Sequence, residues 1–214
     1  MSLESEIAPG AASRDAVRPG QRRRLLHDPR GIRALAHPVR LEALAIIGRA
    51  GRITTADAAR ELGISHGLAS HHLHQLAKYG YVEQVTGADN RERPWRLVAT
   101  SYGPSAGVEE RPGGADAVAV LEQVSAELAV EHLLDWQERR PTWPAPWREP
   151  AGFGRSTVYL TESELAGLVG EIEALIGAYC EERPLDDLAA RPPGSVPVDF
   201  SLFVVPRGPA PAGG

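Results

Sequence analysis

The sequence predicts a mostly α, α+β protein, and three observations predict it. Between residues 28 and 80, short amphipathic segments repeatedly end in glycine or proline. Two β-rich runs joined by turn-forming residues follow at once. Beyond residue 114 come two longer helical patterns, the second flanked by segments that alternate like strands. The expected architecture is a helical domain closed by a β-hairpin, then a long dimerisation helix, then a small C-terminal strand-helix-strand unit.

Residues 1–27 are polar, carry scattered Pro and Gly and show no periodicity, so they read as a disordered basic tail ending in Arg22, Arg23 and Arg24. The folded domain spans 28–100. DPRGIRALAH predicts a short helix with Pro29 in its first turn, and Pro38 opens a second, VRLEALAIIGRAG, closed by Gly48 or Gly51. Thr54 and Thr55 are cap candidates for ADAAREL, which stops at Gly63. Ser65 caps a fourth helix running to about Tyr79 and Gly80. YVEQVT and WRLVA predict paired strands around the turn GADNRERP. Residues 101–114 read as a linker and 115–140 as the dimerisation helix. Residues 141–206 form the C-terminal region, for dimerisation and possible effector binding: the aromatic loop TWPAPWREPAGFG, a strand RSTVYL, a helix opened by the capping-box pair Thr161 and Glu164, and a strand VPVDFSLFVV. Residues 207–214 are a disordered tail.

Charge divides along the chain. Residues 1–100 carry 15 basic and 10 acidic side chains, a balance of +5, whereas 101–214 carry 8 and 18, a balance of −10, within a net −5. A basic module suited to a polyanion is thus joined to an acidic one. One cysteine, Cys180, excludes an intrachain disulfide and a thiolate-rich zinc site. No run of apolar residues is long enough for a membrane span and no secretory signal opens the chain, so a cytoplasmic location is expected.

The stretch SHGLASHHLHQLAKYG holds four of the seven histidines within nine positions. At helical spacing it separates into an apolar stripe, Ala69, His72, Leu73 and Leu76, and a polar one, Gly67, Ser70, His71, His74 and Lys78. That split draws His72 away from the other three, which argues against a metal site. Together with ADAAREL and the turn at Gly63, the segment predicts a helix-turn-helix whose polar ridge projects outward, with short or flat donors suited to the edges of bases in a major groove. Free N–H groups near Ser65, His66, Gly67 and Leu68 suit a phosphate. Arg91 and Arg93 lie at the tip of the following hairpin, which makes the domain a winged helix.

These motifs, AHPVRLEALAII, TTADAARELGISHGLASHHLHQLAKYGYVE and ERPWRLV in that order, resemble the ArsR/SmtB-like winged-helix transcriptional regulators over about residues 28–100. The resemblance implies a homodimer that binds a palindromic operator in double-stranded DNA, usually as a repressor released by an inducer. It makes Ser65 the recognition-helix cap, puts Ser70, His71 and their outward neighbours on DNA, makes His72-Leu73 an inward pair, and assigns Arg91 and Arg93 to wing contacts. The chain departs from the metal-sensing branch, lacking cysteines near the recognition helix and offering only scattered groups such as His132 and Asp135 farther on. No metal or cofactor is expected, and a non-metal effector or partner is.

Trp136, Trp143, Trp147, Phe153 and Tyr159 are candidates for an effector pocket, or else for a dimer core or a pinned loop. His132 and Cys180 lack an oxyanion loop or orienting third group, so no enzyme is predicted. The competing reading is a protein–protein interaction module whose winged helix no longer binds DNA.

Overall fold

The computed structural model describes residues 24–85, 93–99, 101–184 and 187–208. In chain order the elements are β1 (Arg24–Leu26), α1 (Pro29–Leu35), α2 (Pro38–Ala50), α3 (Thr55–Glu61), α4 (His66–Lys78), β2 (Val82–Gln84), β3 (Trp95–Leu97), β4 (Tyr102–Pro104), α5 (Gly114–Arg139), α6 (Ala145–Arg148) and α7 (Glu162–Glu182). Single 3₁₀ turns add Arg140–Thr142 and Leu188–Ala190.

Local chemistry sets the boundaries. Asp28 caps α1 by accepting from the Arg30 N–H, with Pro29 in the first turn, where its missing N–H costs nothing. Thr54 caps α3 by accepting from the Asp57 N–H at 3.1 Å, and Ser65 caps α4 by accepting from the Leu68 N–H at 3.3 Å. The turn between α3 and α4 needs Gly63, whose φ of 64° lies in the left-handed region that a β-carbon disfavours. Thr161 and Glu164 close a reciprocal capping box on α7.

One core unites α1 to α4, the hairpin and the first turns of α5. Ile32, Ile47, Leu73, Leu76, Tyr81, Trp95 and Val108 are fully buried within it. Burying a side chain of this size contributes about 1.5–3 kcal/mol. The hairpin pairs β2 and β3 antiparallel, Glu83 opposite Arg96, and those side chains form an ion pair at 2.7 Å. Ile53, ahead of α3, adds a bridge to Trp95, whose indole N–H donates to Thr55 Oγ1 at 3.0 Å. This is a winged helix-turn-helix with the wing fastened to the first helix of the motif.

Four expectations change. Residues 24–27, assigned to the disordered tail, include β1, which pairs parallel with β4. Arg24 is correspondingly no free basic group: its guanidinium donates to the Gly80 carbonyl and lies over the Tyr81 ring. Residues 101–114 are no simple linker, since β4 and the buried Val108 join the N-terminal core. Gly114 starts α5 so close to that segment that a β-carbon there would fall 1.9 Å from the Val108 carbonyl oxygen. Finally, RSTVYL and VPVDFSLFVV pair with no strand among the described residues, so the strand-helix-strand unit reduces to α7. Alternation makes a segment fit to be a strand, but a ladder needs a neighbouring edge. Residues 1–23 and 209–214 lie outside the described residues.

The long helix α5 behaves differently at its two ends. Ala117, Val118 and Leu121 pack against the N-terminal domain, chiefly on α1. Farther along, Val130 and Leu134 are exposed, and in α7 Leu168, Leu175 and Tyr179 are exposed as well. His132 on α5 bonds Glu42 on α2 through Nε2, tying the two helices together. No described helix is long and apolar enough to cross a membrane.

Candidate functional site

The helix α4 has the two faces its sequence describes. Ala69, Leu73 and Leu76 are wholly buried and His72 is 6% exposed. Ser65, His66, Gly67, Leu68, His71, His74 and Lys78 are exposed, with Ser70 partly so. Small Ala58 and Ala59 of α3 are buried behind, letting the two helices approach. The ridge is therefore a thin polar surface on a helix anchored by a dry face.

His74 has a second attachment. Its Nδ1 lies 2.8 Å from the Ser70 carbonyl oxygen. A carbonyl only accepts, so Nδ1 is the donor, and in the neutral ring Nε2 is left to accept. The ring also stands against Trp95 of the wing. His74 thus joins helix to wing as well as belonging to the ridge, a double role that spacing did not disclose. Arg93 is exposed beside the wing, while Arg91 lies outside the described residues.

The apolar stripe of the sequence directs His72 inward. It is buried, but its Nδ1 has no hydrogen-bond partner. Its ring packs 4.7 Å from that of His37 and 5.6 Å from that of His71. His37 caps α2, the Val39 N–H donating to its Nδ1 at 3.2 Å. Burial, chiefly, holds both His37 and His72 below the usual imidazole range, with Arg40 acting next on His37, and His37 and then Arg40 on His72. This histidine contact between α2 and α4 is a feature that sequence reasoning missed. Its only signal was His37-Pro38 at the start of α2.

The aromatic group divides. Trp136 and Trp143 meet edge to face at 5.5 Å, and Trp143 meets Trp147 at 6.0 Å. Phe153 and Tyr159 do not join them: both are exposed, Tyr159 fully. The adjoining cleft, about 330 Å³, is lined by Gln137, Arg140, Pro141, Ala145, Arg148 and Glu149, none of the residues expected for a pocket. Periodicity could not show that α6 would bring Trp147 against Trp143.

No group of three or more histidine, cysteine, aspartate or glutamate side chains among the described residues could hold a metal. His132 is engaged by Glu42, and Asp135 pairs with Arg139. Cys180 is half-buried on α7.

The family model described as MarR family matches residues 37–92. Two solved structures are similar over most of their length. The apo form of wild-type MarR from E. coli is 19% identical, with 69% of this chain and 87% of that one covered and a TM-score of 0.30. A cysteine-to-serine mutant of MarR from E. coli is 19% identical, with 70% and 88% covered and the same TM-score. No curated protein matches the chain. The family match agrees with a winged helix-turn-helix and does not support the ArsR/SmtB resemblance. The match to the MarR family lies within the winged helix-turn-helix, so that part of the chain is similar to MarR-family domains.

Proposed function

We propose that the chain is a sequence-specific DNA-binding transcription regulator that works as a dimer, most simply as a repressor. It acts by binding and carries out no catalysis. The observation that carries this reading is the ridge on α4. Ser65, His66, Gly67, Leu68, Ser70, His71 and His74 project from a helix whose opposite face is locked into a core, with a wing fastened beside it. A helix presenting short donors and no bulky obstruction enters a major groove and reads base edges. Arg91 and Arg93 supply contacts to the backbone or the minor groove.

Dimerisation is supported by the apolar side chains of α5 and α7 that one copy leaves exposed. A twofold partner would space two recognition helices for a palindromic operator, about 34 Å apart. A non-metal effector is proposed for the region of the three tryptophans. To release DNA it must bind the wrongly spaced dimer more tightly than the competent one.

Fluorescence anisotropy tests the reading, with a duplex taken from upstream of the chain's own gene and a scrambled duplex. Tighter binding to the former, falling linearly in log–log form with salt, is expected. Equal or absent binding, independent of salt, would favour an interaction module without DNA binding.

A further inference from the structure

Arg40, in the first turn of α2, has no acidic partner among the described residues. Arg33, Arg60, Arg96 and Arg139 pair with Asp116, Asp57, Glu83 and Asp135 respectively. Among the described residues none forms an ion pair or side-chain hydrogen bond with Arg40, although its Nε is covered. His37 lies one turn before it, and His72, Tyr79 and Tyr81 are near enough to act on it electrostatically, with His71 next to His72. The rings of His37, His72 and His71 succeed one another at 4.7 and 5.6 Å. They lead from the start of α2 to the exposed ridge. His72, 6% exposed with Nδ1 unpartnered, forms the floor.

Such a gathering, a guanidinium and three imidazoles with no carboxylate among them, favours an anion. Side chains must hold it, because the first amides of α2 are in use. The Val39 N–H donates to His37 Nδ1, and those of Arg40 and Leu41 to the His37 carbonyl. With Nδ1 of His37 fixed as an acceptor, the neutral ring carries its proton on Nε2, a free donor. The guanidinium fork matches two oxygens of a phosphate.

We propose that the notch between the start of α2 and the recognition helix, framed by His37, Arg40 and His71 above His72, binds one phosphate of the DNA backbone. The assignment rests on the DNA-binding reading. His71 belongs to both notch and ridge, so the phosphate is that of the strand passing beside the bases the ridge faces. This contact positions the helix and carries no sequence information itself.

The test uses the full-length protein, the two duplexes above and a salt series. Arg40→Gln should weaken binding to both duplexes about equally, by about tenfold, and lower the log–log salt slope by about one; Arg40→Lys should keep the slope. In case Arg40→Gln perturbs packing, ethylation interference provides the second measurement. Ethylating one phosphate beside each half-site should block the wild-type protein and no longer matter to Arg40→Gln. Unchanged affinity and slope in Arg40→Gln, with wild-type binding intact, overturn the phosphate site and leave the DNA-binding reading standing. Absence of salt-dependent DNA binding by the wild type overturns both.

Discussion

The imidazole of His74 stands edge-on to the indole of Trp95, ring centroids 5.2 Å apart and planes at 79°, so recognition helix and wing meet through two side chains. The indole is in turn bonded to Thr55 at the start of α3. Wing, first helix and second helix are thereby one rigid piece, and His71 and His74, both exposed on the ridge, become unequal.

His71→Ala should leave stability within about 0.5 kcal/mol, as for an exposed residue, and shift preference between operator sequences by about 1–3 kcal/mol. His74→Ala should in addition lose about 0.5–1.5 kcal/mol of stability with its aromatic contact. Urea denaturation beside anisotropy on two duplexes separates the effects. Equal stability losses in both variants would contradict the coupling to Trp95.

Leu73→Ala should cost about 2–5 kcal/mol, because the side chain is wholly buried at the centre of α4. Gly63→Ala should cost about 1–2 kcal/mol for a different reason. Nothing lies within 4 Å of an added β-carbon, so the whole penalty comes from the positive φ. Thermal or urea unfolding checks both, and a neutral Gly63→Ala would mean the turn adopts another conformation.

Stability should fall on mild acidification. His37 and His72 are held below the ordinary imidazole value of about 6.5, both by burial first, then His37 by Arg40 and His72 by His37 and Arg40. Above that value both rings are neutral in folded and unfolded chains alike, and their contribution is complete. As pH drops below it, the unfolded chain takes up protons first, and stability declines until the folded rings titrate too. Protonation of His37 also removes the acceptor for the Val39 N–H. Urea midpoints measured from pH 7.5 down to 5.5 should decline, and less steeply in His37→Asn, since Asn keeps a cap acceptor without a titrating ring.

Val130→Glu combined with Leu134→Glu should convert a dimer into a monomer of 23.0 kDa. Both residues are exposed on the outer half of α5 in one copy. Sedimentation equilibrium reads the mass directly. A wild-type protein that is already monomeric at micromolar concentration would remove the proposed operator spacing.

Much of this was legible in the sequence because the signals were local. Ser65, Thr54 and the Thr161–Glu164 pair are caps whose chemistry acts within one turn. The stripe Ala69, His72, Leu73 and Leu76 was readable because helical periodicity alone determines a face. What was not legible required distant partners. The pairing of Arg24–Leu26 with Tyr102–Pro104 spans most of the domain and involves too few residues to show alternation. The reverse error arose at Val198, Phe200, Leu202 and Val204, where alternation is plain but no described strand pairs with the segment. Within the site, the ridge followed from periodicity, whereas the meeting of His37 with His72 depends on how α2 crosses α4. The tryptophans' proximity in sequence did foreshadow their stacking, but not the departure of Phe153 and Tyr159 from the group.

Methylation protection tests most directly whether the α4 ridge enters a major groove. Dimethyl sulfate modifies guanine N7, which faces that groove. With the upstream duplex bound, guanines should be protected in two patches about one helical turn apart, and the double variant His71→Ala, His74→Ala should lose that protection. A bound complex whose major-groove guanines all stay reactive would contradict the account.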